Sequence, residues 1–229
     1  MLNRKHAVLL RDASLRADAN DQAPGTKLAV GKRQALYRAQ EPAPSLFEVV
    51  TGSFMVYRLI ADGRRQIVHL ALPGSLCGFT RETIHECSCE ALVPSTVIAY
   101  DRTMLAGSED LAMRLTEQME QQIGALAEHI VLLGRRTTEE RLAIFLAQCA
   151  EIWRTASDDK AIVFRIPMTR VEIGDYLGMS LETVSRGIAD FERRGLIRTG
   201  GRQGEMRVFD TAALESAWRA QRKVRKRAS

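Results

Sequence analysis

The sequence predicts an α+β fold: an N-terminal antiparallel β-roll of the cupin-like kind, one long helix, and a C-terminal winged helix-turn-helix. Three patterns carry that expectation. Short runs of β-branched and aromatic residues alternate with turn dipeptides over 30–105. The apolar period then changes to alternating steps of four and three over 109–134. Two capped helix patterns around a short turn follow at 169–194.

The β runs are ALYRA, LFEVVTGSFMVYRLI and RQIVHLALPG, punctuated by Glu41-Pro42, Thr51-Gly52, Asp62-Gly63 and Pro73-Gly74. Asp-Gly between two such runs is a hairpin signal, because its turn needs positive φ. Strands this short and this evenly spaced suit a small barrel or roll over 26–108. Residues 1–25 have no long apolar stretch or small-residue cleavage site, so they read as a loose arm rather than a secretory signal.

Over 109–134, Ala112, Thr116, Met119, Ile123, Leu126, Ile130 and Leu133 form a heptad seam. A helix packed on its own barrel is one reading. The favoured one is a homodimer held by Met119, Ile123, Leu126, Ile130 and Leu133, because the flanking residues Glu117, Gln118, Glu120, Gln121 and Gln122 are polar.

A second domain runs over 135–212. Thr137 and Glu140 make a capping box for a helix burying Leu142, Phe145, Leu146, Cys149 and Trp153 on one face, with Cys149 as a core thiol. The polar segment TASDDK (155–160) reads as a break, and IVFRIP as a strand. Thr169 and Glu172 cap the next helix, Gly178 ends it, and Ser180 caps a further one. Leu181, Val184, Ile188 and Phe191 step by three, four and three, so they face inward. Glu182, Ser185, Arg186 and Ala189 must then face outward in the first turns, where a recognition helix enters the DNA major groove. Arg pairs with guanine, Glu accepts from cytosine, and Ser serves either kind of base edge, so Glu182, Ser185 and Arg186 are the candidate base readers. The bland alternative is a Glu182–Arg186 surface ion pair. LIRTGGRQGEMRVFD (196–210) is a strand, a Gly-rich turn and a strand, hence a wing. Phosphate contacts fall to its Arg198, Arg202 and Arg207, and to Thr169, Arg170 and Thr183 near the two helix starts.

The chain's 229 residues are enough for one large domain or two small ones. Net charge is +5, and RAQRKVRKR (219–227), in the 213–229 tail, is basic without an acid. Double-stranded DNA is the partner this charge suits; a solvated tail is the plainer reading. No apolar run approaches the roughly 20 residues of a membrane helix. Four cysteines are too few for a disulfide scaffold, which fits a cytoplasmic protein. His85, Cys87 and Cys89 crowd into IHECSCE, but a C-x-C alternation lacks the spacing of a zinc site, so no metal or cofactor is assigned. His6, His69 and His129 stand isolated, and no catalytic constellation appears, so an enzyme is not expected.

This order of parts, with MTRVEIGDYLGMSLETVSRGIADFERRGLI at its centre, resembles the CRP/FNR family of bacterial transcription regulators over about 28–210. The roll then resembles a cyclic-nucleotide-binding domain. ETVSR (182–186) and LLGRRTTEERLAIFL (132–146) are similar to the FNR and FixK branch. That resemblance implies a homodimer on a TTGAT-like inverted repeat, contacts with RNA polymerase, and activation of microaerobic, anaerobic or nitrogen-metabolism genes. An FNR iron–sulfur cluster is not expected, because residues 1–76 hold no Cys and Tyr100 stands where the fourth ligand would be. GSLCGFTRETIHECSCEA (74–91) also lacks the Gly-Glu-Leu and Arg-Ser features of a cyclic-AMP pocket. The alternative is a ligand- or haem-gated regulator of the same fold. A further rival is a protein-interaction module whose basic helices dock on an acidic partner.

Overall fold

A computed structural model describes residues 25–80, 82–105, 107–157, 161–200 and 205–209. The chain divides into two compact units, Met1–His129 and Ile130–Ser229.

In the first unit, β1 (Thr26–Val30), β2 (Ala35–Tyr37), β3 (Ser45–Thr51), β4 (Phe54–Leu59), β5 (Arg65–Ala71), β6 (Leu76–Cys77), β7 (Ser88–Ala91) and β8 (Ser95–Asp101) form two antiparallel sheets. One has the order β1-β8-β3-β6, the other β2-β7-β4-β5. Asp62-Gly63 closes the β4–β5 hairpin: Gly63 has φ 83°, and the Arg64 N–H donates to Asp62 Oδ1 at 3.0 Å. Thr51-Gly52 does something else. β3 and β4 lie in different sheets, so Gly52, at φ 85°, turns the chain from one to the other. A Cβ there would stand 2.1 Å from Ser95 Oγ. Between the sheets pack Val30, Tyr37, Val49, Phe54, Ala71, Cys77, Cys89, Ala91 and Val97.

A short helix α1 (Arg102–Leu105) leads to α2 (Glu109–Arg135), the long helix the heptad predicts. The face that packs on the roll is not the heptad seam. Leu111 and Leu115 join Leu46, Leu76, Ile98 and Tyr100 in a second core. Continuing that face, Gln118 Nε2 donates to Glu48 Oε1 at 2.7 Å, and Gln122 Oε1 accepts from the Leu76 N–H at 3.2 Å. Arg114 donates to Glu48 Oε2 at 2.7 Å and to the Tyr100 hydroxyl at 2.8 Å, and that hydroxyl donates to Glu48 Oε2 at 2.7 Å. Gln118 and Gln122 therefore face the roll; as polar flanks of a dimer seam they were misplaced. His69 and His129, isolated in sequence, lie close enough to interact: burial and the charge of His129 push His69 down to about 4.

Burial alone would raise the Glu48 carboxyl, but the Arg114, Gln118 and Tyr100 bonds outweigh it and hold the group below its ordinary value. A depressed carboxylate contributes stability above its unfolded value, near 4.3, and loses it as pH falls through the folded value. Glu48→Gln is expected to cost about 2–4 kcal/mol at neutral pH, since it leaves Arg114 without its anion. In urea titrations the deficit relative to the unsubstituted chain should begin to shrink as pH falls below about 4.3 and close only once pH is below the depressed folded value. A deficit constant with pH would remove the charge from the explanation.

The second unit contains α3 (Thr138–Ile152), β9 (Arg154–Ser157), β10 (Ile162–Phe164), α4 (Arg170–Leu177), α5 (Leu181–Arg193), β11 (Ile197–Thr199) and β12 (Met206–Val208). Its sheet has the order β11-β12-β10-β9. The expected break at 155–160 is partly a strand. Polar residues at an edge satisfy a β ladder without an apolar signature, and Ala156 pairs Val163 there. Residues 158–160 lie outside the described residues, as do the basic tail, Arg202 and 1–24 of the expected arm.

Candidate nucleic-acid interface

The local sequence sets both helices of the two-helix unit. Thr169 and Glu172 form a reciprocal capping box: the Glu172 N–H donates to Thr169 Oγ1 at 3.2 Å, and the Thr169 N–H to Glu172 Oε2 at 2.7 Å. Thr137 and Glu140 do the same for α3. Gly178, at φ 63° and ψ 46°, takes the left-handed cap after α4, a conformation costly for any residue with a Cβ. Arg141 Nη1 donates to the Leu177 carbonyl at 3.0 Å, satisfying an acceptor that the helix end leaves open. Ser180 Oγ then accepts from the Thr183 N–H at 3.2 Å and starts α5.

Val184, Ile188 and Phe191 bury one flank of α5. α4 brings Ile173, Tyr176 and Leu177 to the same core, and the Tyr176 ring meets Phe145 of α3 at 5.6 Å between centroids. Leu181 departs from expectation: it is 42% exposed. Its azimuth matches the buried flank, but it is the first residue of α5, and helix side chains lean toward the N-terminus, beyond the core layer. Glu182, Ser185, Arg186 and Ala189 are exposed on the opposite flank.

The charges on that flank are left available. Asp190, the acid four residues after Arg186, pairs instead with Arg193 and, at 3.1 Å, with Arg194. Arg194 also holds Glu139 of α3 at 2.6 Å. Among the described residues no carboxylate lies within 4.0 Å of Arg186. Glu182 sits below the ordinary carboxylate range because its own N–H and the Ser180 hydroxyl bond it; the Arg186 charge adds the least of the lowering causes. The outer flank thus presents an ionised acid, a hydroxyl and an uncommitted guanidinium within two turns, which can accept from and donate to base edges.

The candidate phosphate contacts surround this flank unevenly. The Thr169 hydroxyl and N–H already bond Glu172. Arg170 is half-buried; burial pushes it down, and the nearby Glu192 charge pulls the other way. The Thr183 hydroxyl lies 3.1 Å from that of Ser180. On the wing, Arg198 and Arg207 are exposed and directly opposite each other in the β11–β12 ladder. Like charges in that register repel, and no described carboxylate pairs with either. One residue with no local signature completes the surface. Glu192 Oε1, at the end of α5, accepts from the Thr199 N–H at 2.6 Å and from its hydroxyl. The acceptor and its donors are seven residues apart with a turn between, so neither helical nor strand periodicity marks them.

In the roll, the cysteine-rich loop folds on itself. His85 is buried with its ring 3.8 Å from that of Tyr37. Cys77 and Cys89 are buried and Cys87 is half-buried. No group of three or more metal-ligating side chains is found among the described residues. The Tyr100 hydroxyl is engaged by Glu48 and Arg114. These residues do not fit an iron–sulfur cluster. Arg102 donates to the Gly78 and Thr80 carbonyls at 2.9 and 3.0 Å, and His85 stacks on Tyr37; Arg81 of the same loop lies outside the described residues.

A β-roll with a long helix and a winged helix-turn-helix defines a DNA-binding transcription regulator. Residues 27–107 match the cyclic nucleotide-binding domain and residues 140–217 the Crp-like helix-turn-helix domain. The chain is 31% identical over 199 residues to the nitrogen fixation regulation protein FixK of Bradyrhizobium diazoefficiens, covering 84% of this chain and 81% of that one. It is 31% identical over 172 residues to the transcriptional activatory protein AadR of Rhodopseudomonas palustris, covering 73% and 71%. The structure of FixK2 from Bradyrhizobium japonicum superimposes with a TM-score of 0.72 at 30% identity, over 85% of this chain and 97% of that one. The chain belongs to the CRP/FNR family and is FixK-like.

Proposed function

We propose that two copies of this chain pair along Met119, Ile123, Leu126, Ile130 and Leu133 and read an inverted repeat in the cytoplasm. Each copy sets α5 into a major groove, with half-sites one helical turn apart. Arg186 forms a bidentate pair with guanine, Glu182 accepts from cytosine, and Ser185 bonds an adjacent base edge. Arg198, Arg202, Arg207, Arg170, Thr169 and Thr183 contact phosphates and set the register. The half-site is TTGAT-like, and the bound dimer contacts RNA polymerase and activates genes of anaerobic or microaerobic respiration or of nitrogen metabolism, in line with the named relatives.

One observation carries the base-reading assignment: Asp190 is diverted to Arg193 and Arg194, and no carboxylate among the described residues lies within 4.0 Å of the Arg186 guanidinium. Random-site selection with the purified protein at fixed salt tests the proposal, since affinity for DNA depends steeply on salt. Enrichment of a palindrome with TTGAT-type halves is the expected result. Retention of all sequences equally would replace it with a docking role on an acidic partner.

A further inference from the structure

The strands of the wing are tied to the base-reading helix by one side chain. α5 ends in a tight turn: the Gly195 N–H donates to the Glu192 carbonyl at 2.9 Å, and the Leu196 N–H to that of Phe191 at 3.0 Å. β11 begins two residues later, at Ile197, and it is the outer strand of its sheet, paired only with β12. An outer strand leaves N–H groups without ladder partners. At Thr199 that donor meets Glu192 Oε1 at 2.6 Å, and the Thr199 hydroxyl bonds the same oxygen. The Arg170 charge, at the start of α4, lies near enough to interact with the same carboxylate. One acid therefore joins the recognition helix to the wing.

Arg198 is the residue before Thr199, and Arg207 faces Arg198 across the ladder. The Arg198 guanidinium lies over the Phe209 ring, 5.8 Å from its centroid, and two like charges in directly opposed register repel unless an anion lies near both. A phosphodiester oxygen supplies that charge, and bidentate arginine geometry suits it. Such a contact can set the register in which α5 meets the bases only if the wing sits at a set height beside α5.

We infer that Glu192 is a positioning residue for DNA binding: it latches Thr199 so that Arg198 and Arg207 together meet one backbone phosphate while α5 reads bases. This rests on the DNA-reading role of α5. Glu192 itself touches no base. Its loss should weaken matched and mismatched sites alike, whereas loss of a base reader weakens the matched site selectively.

The test measures equilibrium binding of the full chain to a matched duplex and to a single-mismatch duplex across a salt series. Glu192→Ala is expected to weaken both by about three- to tenfold and to reduce the steepness of log K against log salt by about one for each protomer of the bound dimer. Glu192→Gln, which keeps an acceptor oxygen, should recover most of the loss. Arg207→Ala combined with Glu192→Ala should lose less than the product of the single effects, because both act on one phosphate contact. Thr199→Val guards against misfolding: it removes the hydroxyl, keeps the N–H, and should give a smaller change in the same direction. An unchanged salt slope in Glu192→Ala, or single losses that multiply in full with Arg207→Ala, would overturn the latch and leave Glu192 a stability contact only. If the unsubstituted chain itself shows no preference for any duplex, the DNA-reading role fails, independently of the latch.

Discussion

Replacing Ile123 and Ile130 together by Glu should turn the protein into a monomer and lower its affinity for the inverted repeat by about 100-fold or more, while leaving each chain folded. The two side chains are 62% and 69% exposed in the single chain, so neither supports the fold of its own subunit. Substitutions at such positions ordinarily change stability by less than about 0.5 kcal/mol, and Glu favours helix more than Ile does. In a pair of α2 helices the same positions are buried, and four carboxylates across one seam would repel and lack partners. A dimer presents two recognition helices, so the second half-site is bound at high effective concentration; a monomer loses that gain. Sedimentation equilibrium gives the oligomeric state, and titration of full and half sites gives the affinities. Half-site binding should survive the substitution. A dimer that persists, or full-site affinity unchanged in a monomer, would refute the seam.

What a sequence discloses differs between the two faces of α2. The heptad over 109–134 is a local period, visible because apolar residues recur. The other face of α2 was hidden because, beyond Leu111 and Leu115, its contacts are polar: Arg114, Gln118 and Gln122 step by four and bond Glu48 and Leu76 across the fold. Polar residues ordinarily signal solvent, and only the tertiary position of Glu48, 66 residues from Arg114, reverses that meaning. The caps at Thr137, Thr169 and Ser180 and the left-handed Gly178 were legible for the converse reason. Each pairs groups within three or four residues, so the chemistry sits inside one stretch of chain.

The candidate DNA-facing surface divides in the same way. The outward flank of α5 follows from the inward one, because Val184, Ile188 and Phe191 leave Glu182, Ser185 and Arg186 no other direction. Leu181 failed the same rule because periodicity gives a side chain's azimuth but not whether a layer lies beneath it. Glu192 and Thr199 escaped notice since a turn separates them, and the freedom of Arg186 depends on Asp190 choosing Arg193 and Arg194. Spacing alone allowed Asp190 to pair with any of the three.

Arg186→Ala carries the other large effect: it should abolish discrimination at one guanine of each half-site, at about 1–3 kcal/mol per half-site. Two half-sites in one dimer compound that loss, while binding to unrelated DNA falls only slightly, because the phosphate contacts remain. Thermal stability should hardly change, as the guanidinium is exposed and has no acid within 4.0 Å among the described residues. Arg186→Lys separates charge from geometry. Lysine keeps the cation but cannot form the planar two-bond fork, so it should restore non-specific affinity and not the guanine preference. If Glu182 and Arg186 were instead only an exposed helix pair, Arg186→Ala would cost about 0.2–0.5 kcal/mol of helix stability and leave base preference intact. Competition binding with each base substituted in turn decides between these outcomes: a preference retained at every position in Arg186→Ala would take this residue out of the readout.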